Sequence, residues 1–333
     1  MTASADNRRS MDCRQVSWPI RGSFAISRGS RTTAEVIEVS ISEAGTVGRG
    51  ECVPYGRYGE TLDSVAEQIG SVADAVGGGM DRAALLSALP AGAARNAVDC
   101  ALWDLECKLS GRRAYELAGL STPAPVITAY TLSLGTVESM GEAARAAAHR
   151  PLLKLKLTGD GDIDRVAAVR DNAPDSRIIV DANEAWTPRH LADYLAPMKA
   201  LGVEMIEQPL PAGKDEALAD IDPVVPLCAD ESCHDSASLD ALVGKYQMIN
   251  IKLDKTGGLT EALALKQAAR DRGFRIMVGC MLGSSLAMAP AVLVGQGVDV
   301  VDLDGPLLLA QDRDPALTYD ESGVHPPSAI LWG

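Results

Sequence analysis

Hydrophobic and polar residues alternate along an early part of the chain. Residues 34–56, AEVIEVSISEAGTVGRGECVPYG, alternate on both sides of a turn at 43–45. Strict alternation is typical of half-buried strands, so we predict an antiparallel hairpin or meander here. Apolar residues then recur with helical spacing from about 61 to 109. The clearest helix ends at Gly111, and its apolar stripe carries Ala94, Val98, Ala101, Leu102, Leu105 and Leu109.

The pattern changes from about residue 124, where short apolar runs alternate with alanine-rich helical stretches. Eight runs predict strands, at 126–133, 152–157, 177–182, 203–208, 225–230, 247–253, 274–279 and 298–304. Clear helical stretches between them lie at 162–173, 188–202 and 260–273. Eight strands in βα alternation predict a parallel (β/α) barrel of the α/β class. The alternative is a doubly wound open sheet, which would need a Gly-rich phosphate loop that this sequence lacks.

The change of pattern also predicts the domain organisation. A meander followed by helices predicts an α+β domain at 12–115, and the barrel then covers 116–310. Pro306 and a short tail follow the last predicted strand, so we expect the tail at 311–333 to return to the first domain. Residues 1–15 have paired arginines but no apolar stretch typical of an export signal, and we interpret them as a frayed extension with Met11 as an alternative start.

Composition narrows the classes of partner. A net charge of −14 and a pI of about 4.8 argue against nucleic acid or an anionic membrane. The seven cysteines are scattered, odd in number and without a CxxC pair, which favours reduced thiols in the cytoplasm over disulfides or a zinc site. We therefore expect a cytoplasmic protein with a small-molecule partner. The sequence leaves the oligomeric state open, including a homo-oligomer.

Charged residues stand at the C-terminal ends of five successive predicted strands. Lys156, Asp181, Glu207, Asp230 and Lys252 are separated by 25, 26, 23 and 22 residues, one βα unit each. The C-terminal ends of barrel strands surround one mouth, where active sites are built. Either aspartate alone would be interpreted as a helix cap, but packing does not explain an ionised group at every strand end. Three adjacent carboxylates are hard ligands that repel one another without a cation, so we predict one Mg²⁺ or Mn²⁺ per subunit.

The two outer lysines would face each other across that metal in a closed ring. A substrate carboxylate on the cation could lose its α-proton to one lysine and regain a proton from the other on the opposite face. The intermediate would be an enediolate that the metal stabilises. Lys154 shares a strand face with Lys156, and its like charge would make Lys156 a better base. We therefore predict three catalytic lysines, Lys154, Lys156 and Lys252, and three metal ligands, Asp181, Glu207 and Asp230.

These residues lie in motifs that resemble those of the enolase superfamily, in its muconate-lactonizing subgroup, and within it those of the dipeptide epimerases. The resemblance runs from Trp18 to the last predicted strand, through RGSR (28–31), GECVPYGRYGE (50–60), ARNAVDCALWDLECKLSG (94–111), KLK (154–156), VDANEAW (180–186), IEQPL (206–210), ADES (229–232), NIKLDKTGGLTEAL (250–263), GCMLGSS (279–285) and DLDG (302–305). It implies a (β/α)₇β modified TIM barrel, capped by the α+β domain and the tail, with the ligands and bases named above. Gly283 departs from relatives with a larger or acidic side chain, which leaves the pocket shape there open. Subgroups with a histidine base are disfavoured, because no histidine lies at a predicted strand end.

The last predicted strand bears on which reaction of the subgroup to expect. Asp302 and Asp304 share a face at the mouth, and paired acids suit a substrate ammonium group. In the resembled epimerases this pair binds the dipeptide's amine, and an arginine corresponding to Arg31 binds the side chain of the substrate's glutamate. Tyr55 and Met281 are further predicted substrate-binding residues. The resemblance thus implies metal-dependent, two-base epimerisation of dipeptides such as L-Ala-D-Glu, in murein peptide metabolism.

Other functions remain open from the sequence. Within the same superfamily the lysine pair also serves N-acylamino acid racemases, o-succinylbenzoate synthases and cycloisomerases. A Schiff-base barrel aldolase is a different class, but it would not need three carboxylates and would be insensitive to chelators. An inactive relative that serves as a binding protein would not need the full Lys–Asp–Glu–Asp–Lys set.

Overall fold

An antiparallel three-stranded sheet and five helices form the N-terminal part of the protein, in a computed structural model that describes residues 9–333. The strands, adjacent in this order, are β1 (Ser10–Ile26), β2 (Gly29–Glu43) and β3 (Thr46–Cys52). The helices are α1 (Leu62–Ser71), α2 (Ala73–Gly77), α3 (Arg82–Ala88), α4 (Ala93–Ser110) and α5 (Ala114–Leu117), with a 3-10 turn at Gly56–Tyr58. The predicted meander is confirmed as β2 and β3.

Strand β1 corrects the prediction for the start of the chain. It pairs with β2 from Ser10 to Pro19 and again from Phe24 to Ile26, so residues 10–15 are not a frayed extension. Residues 1–8 lie outside the described part of the chain. The ladder to β2 holds this strand, while only a few of its side chains, such as Met11 and Cys13, pack against the apolar core beneath the sheet. Weak hydrophobic alternation therefore concealed a strand that backbone pairing stabilises.

Helix α4 lies directly on strand β3. A Cβ added at Gly48 would lie 2.3 Å from the main-chain oxygen of Ala101, so this close approach requires glycine. The predicted stripe on α4 is buried except for Leu109, which is 45% exposed. The prediction that Leu109 is part of the buried stripe is wrong, because the contact of α4 with β3 ends one helical turn before Leu109. Gly111 ends the helix with a φ of 69°, as predicted.

Eight parallel strands follow, each within a predicted run but shorter than it. They are β4 (Tyr130–Leu132), β5 (Leu152–Lys156), β6 (Arg177–Asp181), β7 (Val203–Glu207), β8 (Leu227–Ala229), β9 (Met248–Ile251), β10 (Arg275–Val278) and β11 (Val300–Val301). They are adjacent in chain order in one sheet. The N–H of Ala129, just before β4, donates to the oxygen of Val301 in β11 at 2.8 Å, which joins the two edges. The barrel prediction is confirmed, and the open sheet is excluded.

A ring of apolar side chains fills the barrel interior, with one residue from each strand or the position just before it: Ala129, Leu152, Ile179, Met205, Cys228, Met248, Met277 and Val300. All eight are buried. Side chains two residues further along a strand point to the same side. The ring is therefore the floor on which the next inward layer of side chains lies.

Helices surround the barrel, and the chain then returns to the N-terminal part. They are α6 (Val137–Ala146), α7 (Asp162–Asn172), α8 (Pro188–Ala200), α9 (Leu253–Thr256), α10 (Leu259–Asp271), α11 (Ser285–Val294) and α12 (Gly305–Leu308), with 3-10 turns at Glu216–Asp220 and Ser236–Ala241 and a hairpin of β12 (Tyr319–Asp320) and β13 (Gly323–Val324). Trp332 donates through Nε1 to the oxygen of Cys100 in α4. The division at residues 115 and 310 stays a prediction. Within residues 9–333, none of the helices has the length and apolar character that crossing a bilayer requires.

Candidate active site

The strand register brings the predicted charged residues together inside the barrel, where those that lie two positions beyond the apolar ring form an inner layer and Lys156 and Lys252 lie two positions further along their strands. Lys156 lies opposite Asp181, and Asp181 lies opposite Glu207 in the next strand. Asp181 and Glu207 each follow a member of the apolar ring by two residues, as do Lys154, Asp230 and Asp302 in their own strands. These side chains therefore point into the barrel above its floor.

The two lysines at the outer ends of the set lie on opposite sides of the barrel. Lys156 ends β5, and Lys252 follows β9 directly. Strands β5 and β9 are four places apart in a ring of eight, which is half of the circumference. The opposed arrangement that the strand order implied is thus the arrangement in the fold.

A cavity of about 410 Å³ opens above this layer. Its barrel side carries Lys154, Lys156, Asp230, Lys252, Asp302 and Asp304, and its N-terminal side carries Val53, Tyr55 and the loop with Arg31. Met281 also lines it. None of the four histidines lines it, in agreement with a site that uses lysine. A volume of this size is typical of a small-molecule site.

Each carboxylate of the inner layer is paired with a lysine. Lys156 Nζ lies 2.6 Å from Asp181 Oδ2, and Lys252 Nζ lies 2.6 Å from Asp230 Oδ2. Burial would lower the pKa of Lys252, but Asp230 raises it well above its usual range. Burial would also raise the pKa of Asp181, but Lys156 and Lys154 lower it to about 2. The layer is therefore an alternating set of charges.

Lys154 bridges acids on three strands. Its Nζ lies 2.6 Å from Glu207 Oε2, 2.7 Å from Asp302 Oδ2 and 3.4 Å from Asp181 Oδ2, and its side chain is 2% exposed. Its positive charge is thus compensated by three neighbours. The predicted repulsion that would make Lys156 a better base stays a prediction, and the contacts assign Lys154 first to holding these acids.

The carboxylates fit a divalent cation in chemistry, while in this arrangement lysines lie between them. Asp181, Glu207 and Asp230 offer buried oxygen donors at three adjacent strand ends, the donor type that Mg²⁺ prefers. Burial, and next the neighbouring charge of Asp181, raise the pKa of Glu207 to about 7. Among residues 9–333, no group of three or more His, Cys, Asp or Glu side chains is already spaced to hold a metal. A cation would have to displace the lysine contacts.

The predicted amine-binding acids lie at the barrel side of the cavity and are both buried. Asp302 accepts from Lys154, and its other oxygen, Oδ1, has no hydrogen-bond partner within the described residues. Asp304 accepts the Thr131 N–H at 2.6 Å, and burial together with Asp302 raises the pKa of Asp304 to about 7. A buried acceptor without a partner is costly unless a ligand supplies the donor.

Arg28 lies in the turn between β1 and β2 above the cavity, and Arg31 lies near the start of β2, but the two have different partners. Arg28 donates to Glu231 Oε1 at 2.8 Å, to the Tyr55 hydroxyl at 2.9 Å and to the Asn183 oxygen at 3.1 Å. Arg31 lies over the Tyr55 ring, with Cζ 5.7 Å from the ring centroid, and forms no ion pair within residues 9–333. Of these two guanidiniums, that of Arg31 is therefore the unpaired one within residues 9–333.

Sequence reasoning missed several side chains that shape the site. Glu231 pairs with Arg28, and Asn250 donates to Glu207 Oε1 at 2.7 Å. Lys255 donates to Asp230 Oδ1 at 2.6 Å and to the oxygens of Asp230 and Asn250. Asn250 could have been found, because it precedes Lys252 by two residues on the same strand face. No local pattern indicates the partners of Glu231 or Lys255.

Family comparisons agree with this geometry. Residues 138–327 match the model described as "Enolase C-terminal domain-like", and residues 8–119 match "Mandelate racemase / muconate lactonizing enzyme, N-terminal domain". The chain belongs to the enolase superfamily. The first match covers the barrel from α6 onwards, and the second covers the N-terminal part of this enolase-superfamily protein.

Two curated relatives are similar over almost the whole chain. The L-Ala-D/L-Glu epimerase of Escherichia coli (strain K12) is 48% identical over 310 residues, covering 92% of this chain and 97% of that protein. The N-acetyl-D-glutamate racemase of a Pseudoalteromonas species is 47% identical over 300 residues, covering 90% of this chain and 95% of that one.

Solved structures of similar proteins include bound ligands. An enolase family member from Agrobacterium tumefaciens, with homology to dipeptide epimerases and with bound sodium and L-Ala-L-Glu, is 52% identical at a TM-score of 0.96, covering 98% of this chain and 100% of that one. A dipeptide epimerase from Enterococcus faecalis V583, complexed with Mg and L-Leu-L-Tyr, is 28% identical at a TM-score of 0.87, covering 96% and 97%.

Proposed function

We propose that this enolase-superfamily protein is a dipeptide epimerase that interconverts L-Ala-D-Glu and L-Ala-L-Glu. The observation that carries the proposal is the pair of lysines, Lys156 and Lys252, on opposite sides of one buried cavity. Inversion at a carbon needs a proton to leave from one face and to return to the other, so two opposed bases are what the reaction requires.

In this proposal the two lysines transfer protons, and the three carboxylates hold a cation. The neutral amine of one lysine accepts the α-proton of the second residue, and the ammonium of the other lysine donates a proton from the opposite side. Asp181, Glu207 and Asp230 would hold one Mg²⁺ per subunit, with Mn²⁺ as a substitute. That cation supplies electrostatic stabilisation of the negative charge on the substrate's α-carboxylate. Lys154 keeps Glu207 and Asp302 in place.

The walls of the cavity supply substrate recognition. Asp302 and Asp304 bind the dipeptide's ammonium, because Asp302 Oδ1 is buried and lacks a donor among residues 9–333. Arg31 binds the side-chain carboxylate of the substrate's glutamate, since its guanidinium has no carboxylate partner in that range. Tyr55 and Met281 complete the wall between them. The names and ligands of the Escherichia coli and Agrobacterium relatives support this choice of substrate.

One second candidate has specific support. The Pseudoalteromonas relative named N-acetyl-D-glutamate racemase is nearly as similar as the epimerase from Escherichia coli. N-acetylglutamate would use the same lysines and Arg31, but it has no ammonium for Asp302 and Asp304. Activity on both substrates is compared in the same assay, and the dipeptide should have the higher kcat/KM.

The proposed substrate also indicates a metabolic role for the enzyme. A dipeptide of alanine and glutamate is a fragment expected from murein peptides, so we place the enzyme in the recycling of cell wall peptides in the cytoplasm. The seven cysteines, all free thiols, are compatible with that compartment.

The test follows α-deuterium incorporation in D₂O with Mg²⁺, starting from L-Ala-D-Glu and L-Ala-L-Glu separately. The wild type should interconvert the two and label both. Lys156→Ala and Lys252→Ala should each abolish interconversion, while each retains exchange without inversion from a different epimer. Interconversion at a near-native rate in either variant would refute the two-base mechanism, and full activity after exhaustive chelation would refute the metal.

A further inference from the structure

Helix α4 belongs to the N-terminal part of the protein, yet its polar side chains bond to the segment that follows Lys252. Lys252 immediately precedes α9, and its main-chain oxygen accepts the N–H groups of Lys255 and Thr256. The position of the Lys252 backbone is therefore fixed by the position of α9. What holds α9 in place also holds the lysine.

Two adjacent residues of α4 hold the two ends of α9. At its start, Asp254 Oδ1 accepts from Asn96 Nδ2 at 2.8 Å. At its end, Arg95 donates from Nη2 to the oxygen of Thr256 at 2.7 Å and from Nε to that of Gly257 at 3.1 Å. Asn96 is 2% exposed, and Asp254 and Arg95 are each 7% exposed. These are buried polar contacts, whose loss leaves groups without partners.

A second contact connects Asp254 to the wall of the cavity. The same oxygen, Oδ1, accepts the main-chain N–H of Val53 at 3.0 Å, and Val53 lines the cavity beside Tyr55. Asp254 therefore joins α4, the cavity wall and the segment of Lys252 at one buried atom.

The two glycines after α9 allow the helices to approach closely. Gly257 and Gly258 have φ angles of 73° and 113°. A Cβ at Gly257 would lie 2.5 Å from Arg95 Nε, and a Cβ at Gly258 would lie 2.4 Å from Asp99 Oδ2. Both positions thus need glycine for backbone angle and for space, and in both cases the limiting atom belongs to α4.

The other lysine is held differently. Lys156 ends β5, and the loop after it is anchored by Asp162, which accepts the N–H of Gly159 at 2.7 Å and Trp186 Nε1 at 2.8 Å. These partners all belong to the barrel. The N-terminal part of the protein thus contacts the segment of Lys252 through α4, while the named anchors of the Lys156 loop come from the barrel alone.

We propose that Asn96 and Asp254 are positioning residues for Lys252, so that the packing of α4 against the barrel controls proton transfer on one face of the substrate. The inference rests on the proposed two-base function. It assigns a role to the motif ARNAVDCALWDLECKLSG that the reaction chemistry leaves unexplained.

The test measures deuterium incorporation with retention of configuration, starting from each epimer separately. Lys252→Ala identifies the epimer whose exchange depends on Lys252. Asn96→Ala should lower exchange from that epimer about 10- to 100-fold, the effect expected when a catalytic group is displaced by about 1 Å, and should leave exchange from the other within about two-fold. Asp254→Ala should behave like Asn96→Ala, whereas Asp254→Asn retains an oxygen acceptor and should keep most of the exchange.

Trp103→Phe is the matched control, because Trp103 lies on the same helix and donates through Nε1 to Thr260 Oγ1 at 2.9 Å, beyond α9. It should change neither exchange. An equal loss from both epimers in Asn96→Ala, or the same selective loss in Trp103→Phe, would overturn the assignment. If Asn96→Ala does not fold, the exchange rates of the two Asp254 variants test the proposal instead. A selective loss of exchange from the Lys252-dependent epimer in Asp254→Asn would contradict positioning by hydrogen bonds. Absence of exchange from both epimers in the wild type would refute the proposed function itself.

Discussion

Arg28 and Arg31 show how two like residues three positions apart acquire different tasks. The guanidinium of Arg28 donates hydrogen bonds to Glu231, to the Tyr55 hydroxyl and to the Asn183 oxygen. Arg28 therefore connects the turn between β1 and β2 to the barrel. Arg31 keeps its charge available at the cavity, above the Tyr55 ring. A substrate carboxylate that enters the cavity would therefore meet Arg31.

Replacement of this free guanidinium should change specificity. A charge-assisted pair contributes roughly 1.5–3 kcal/mol, which corresponds to on the order of ten- to a hundred-fold in kcat/KM. Arg31→Met should lose that factor on L-Ala-D-Glu and L-Ala-L-Glu but much less on an L-Ala dipeptide with an uncharged second residue. Steady-state kinetics on both substrate types provide the measurement, and an equal loss on both would remove Arg31 from the specificity site.

Glu207 is a buried acid of the inner layer with two close partners. Its Oε1 accepts from Asn250 and its Oε2 lies 2.6 Å from Lys154 Nζ. Glu207→Gln would direct an NH₂ group at one of these donors and would remove a proposed metal ligand. A cation at a hundred times its Kd stabilises a protein by about 2.7 kcal/mol, so saturating Mg²⁺ should raise the Tm of the wild type clearly. In Glu207→Gln this rise and turnover should both be lost, and an unchanged Mg²⁺-dependent Tm would contradict the assignment of Glu207 as a ligand.

At the scale of elements, the C-terminal tail adds a large buried side chain to the side of α4. Trp332 is fully buried and donates to the oxygen of Cys100, and the Gly333 N–H donates to Asp104 Oδ1 at 2.8 Å. Ile330, two residues before Trp332, is 74% exposed. The tail thus offers one buried and one exposed apolar residue for a matched comparison.

Trp332→Ala should reduce the free energy of unfolding by about 3–5 kcal/mol, because it opens a cavity beside α4 and removes a hydrogen bond. Ile330→Ala should change it by no more than about 0.5 kcal/mol. Urea unfolding of the two variants provides the comparison. Similar small losses in both would mean that the tail is dispensable for the packing of α4.

At the scale of the whole molecule, charged pairs hold the N-terminal loops over the barrel mouth. Arg57 donates to both oxygens of Glu184 at 2.8 Å, and Arg28 donates to one of them at 3.2 Å. Glu184 lies in the loop after β6, three residues beyond Asp181, and the side chains of Arg57 and Arg28 are 38% and 28% exposed. The covering of the cavity therefore depends on an acid of the barrel rim.

Glu184→Ala should lower kcat/KM on the dipeptides by about ten-fold, mainly through KM, because two arginines lose a shared anchor. Glu204→Ala is the control. It breaks the exposed pair of Glu204 with Arg177 near the starts of β7 and β6, where an ion pair contributes little and no substrate binds. Steady-state kinetics of both variants provide the measurement. An equal change of kcat/KM in the two variants would show that the ion pairs of Glu184 do not contribute to substrate binding.

The elements and the positions of the principal charges follow from local sequence patterns. Alternation over two residues and the βα repeat are local patterns, so they located β2, β3 and eight barrel strands, and they placed Lys156, Asp181 and Glu207 at successive strand ends. The local pattern does not reveal the start of strand β1, because the strand is defined by its pairing with β2, although Trp18 and Ile20 also pack in an apolar cluster. The helical period wrongly predicts that Leu109 is buried, because a period does not show where the neighbouring strand ends.

Which charges lie in contact depends on how the elements pack in three dimensions. Lys154 is 148 residues from Asp302, Arg28 is 203 residues from Glu231, and Asn96 is 158 residues from Asp254. Closure of the barrel brings the first pair together, and the packing of the N-terminal part on the barrel mouth brings the other two. No local sequence pattern predicts such contacts, because the two residues of each pair meet only after the elements between them have packed together.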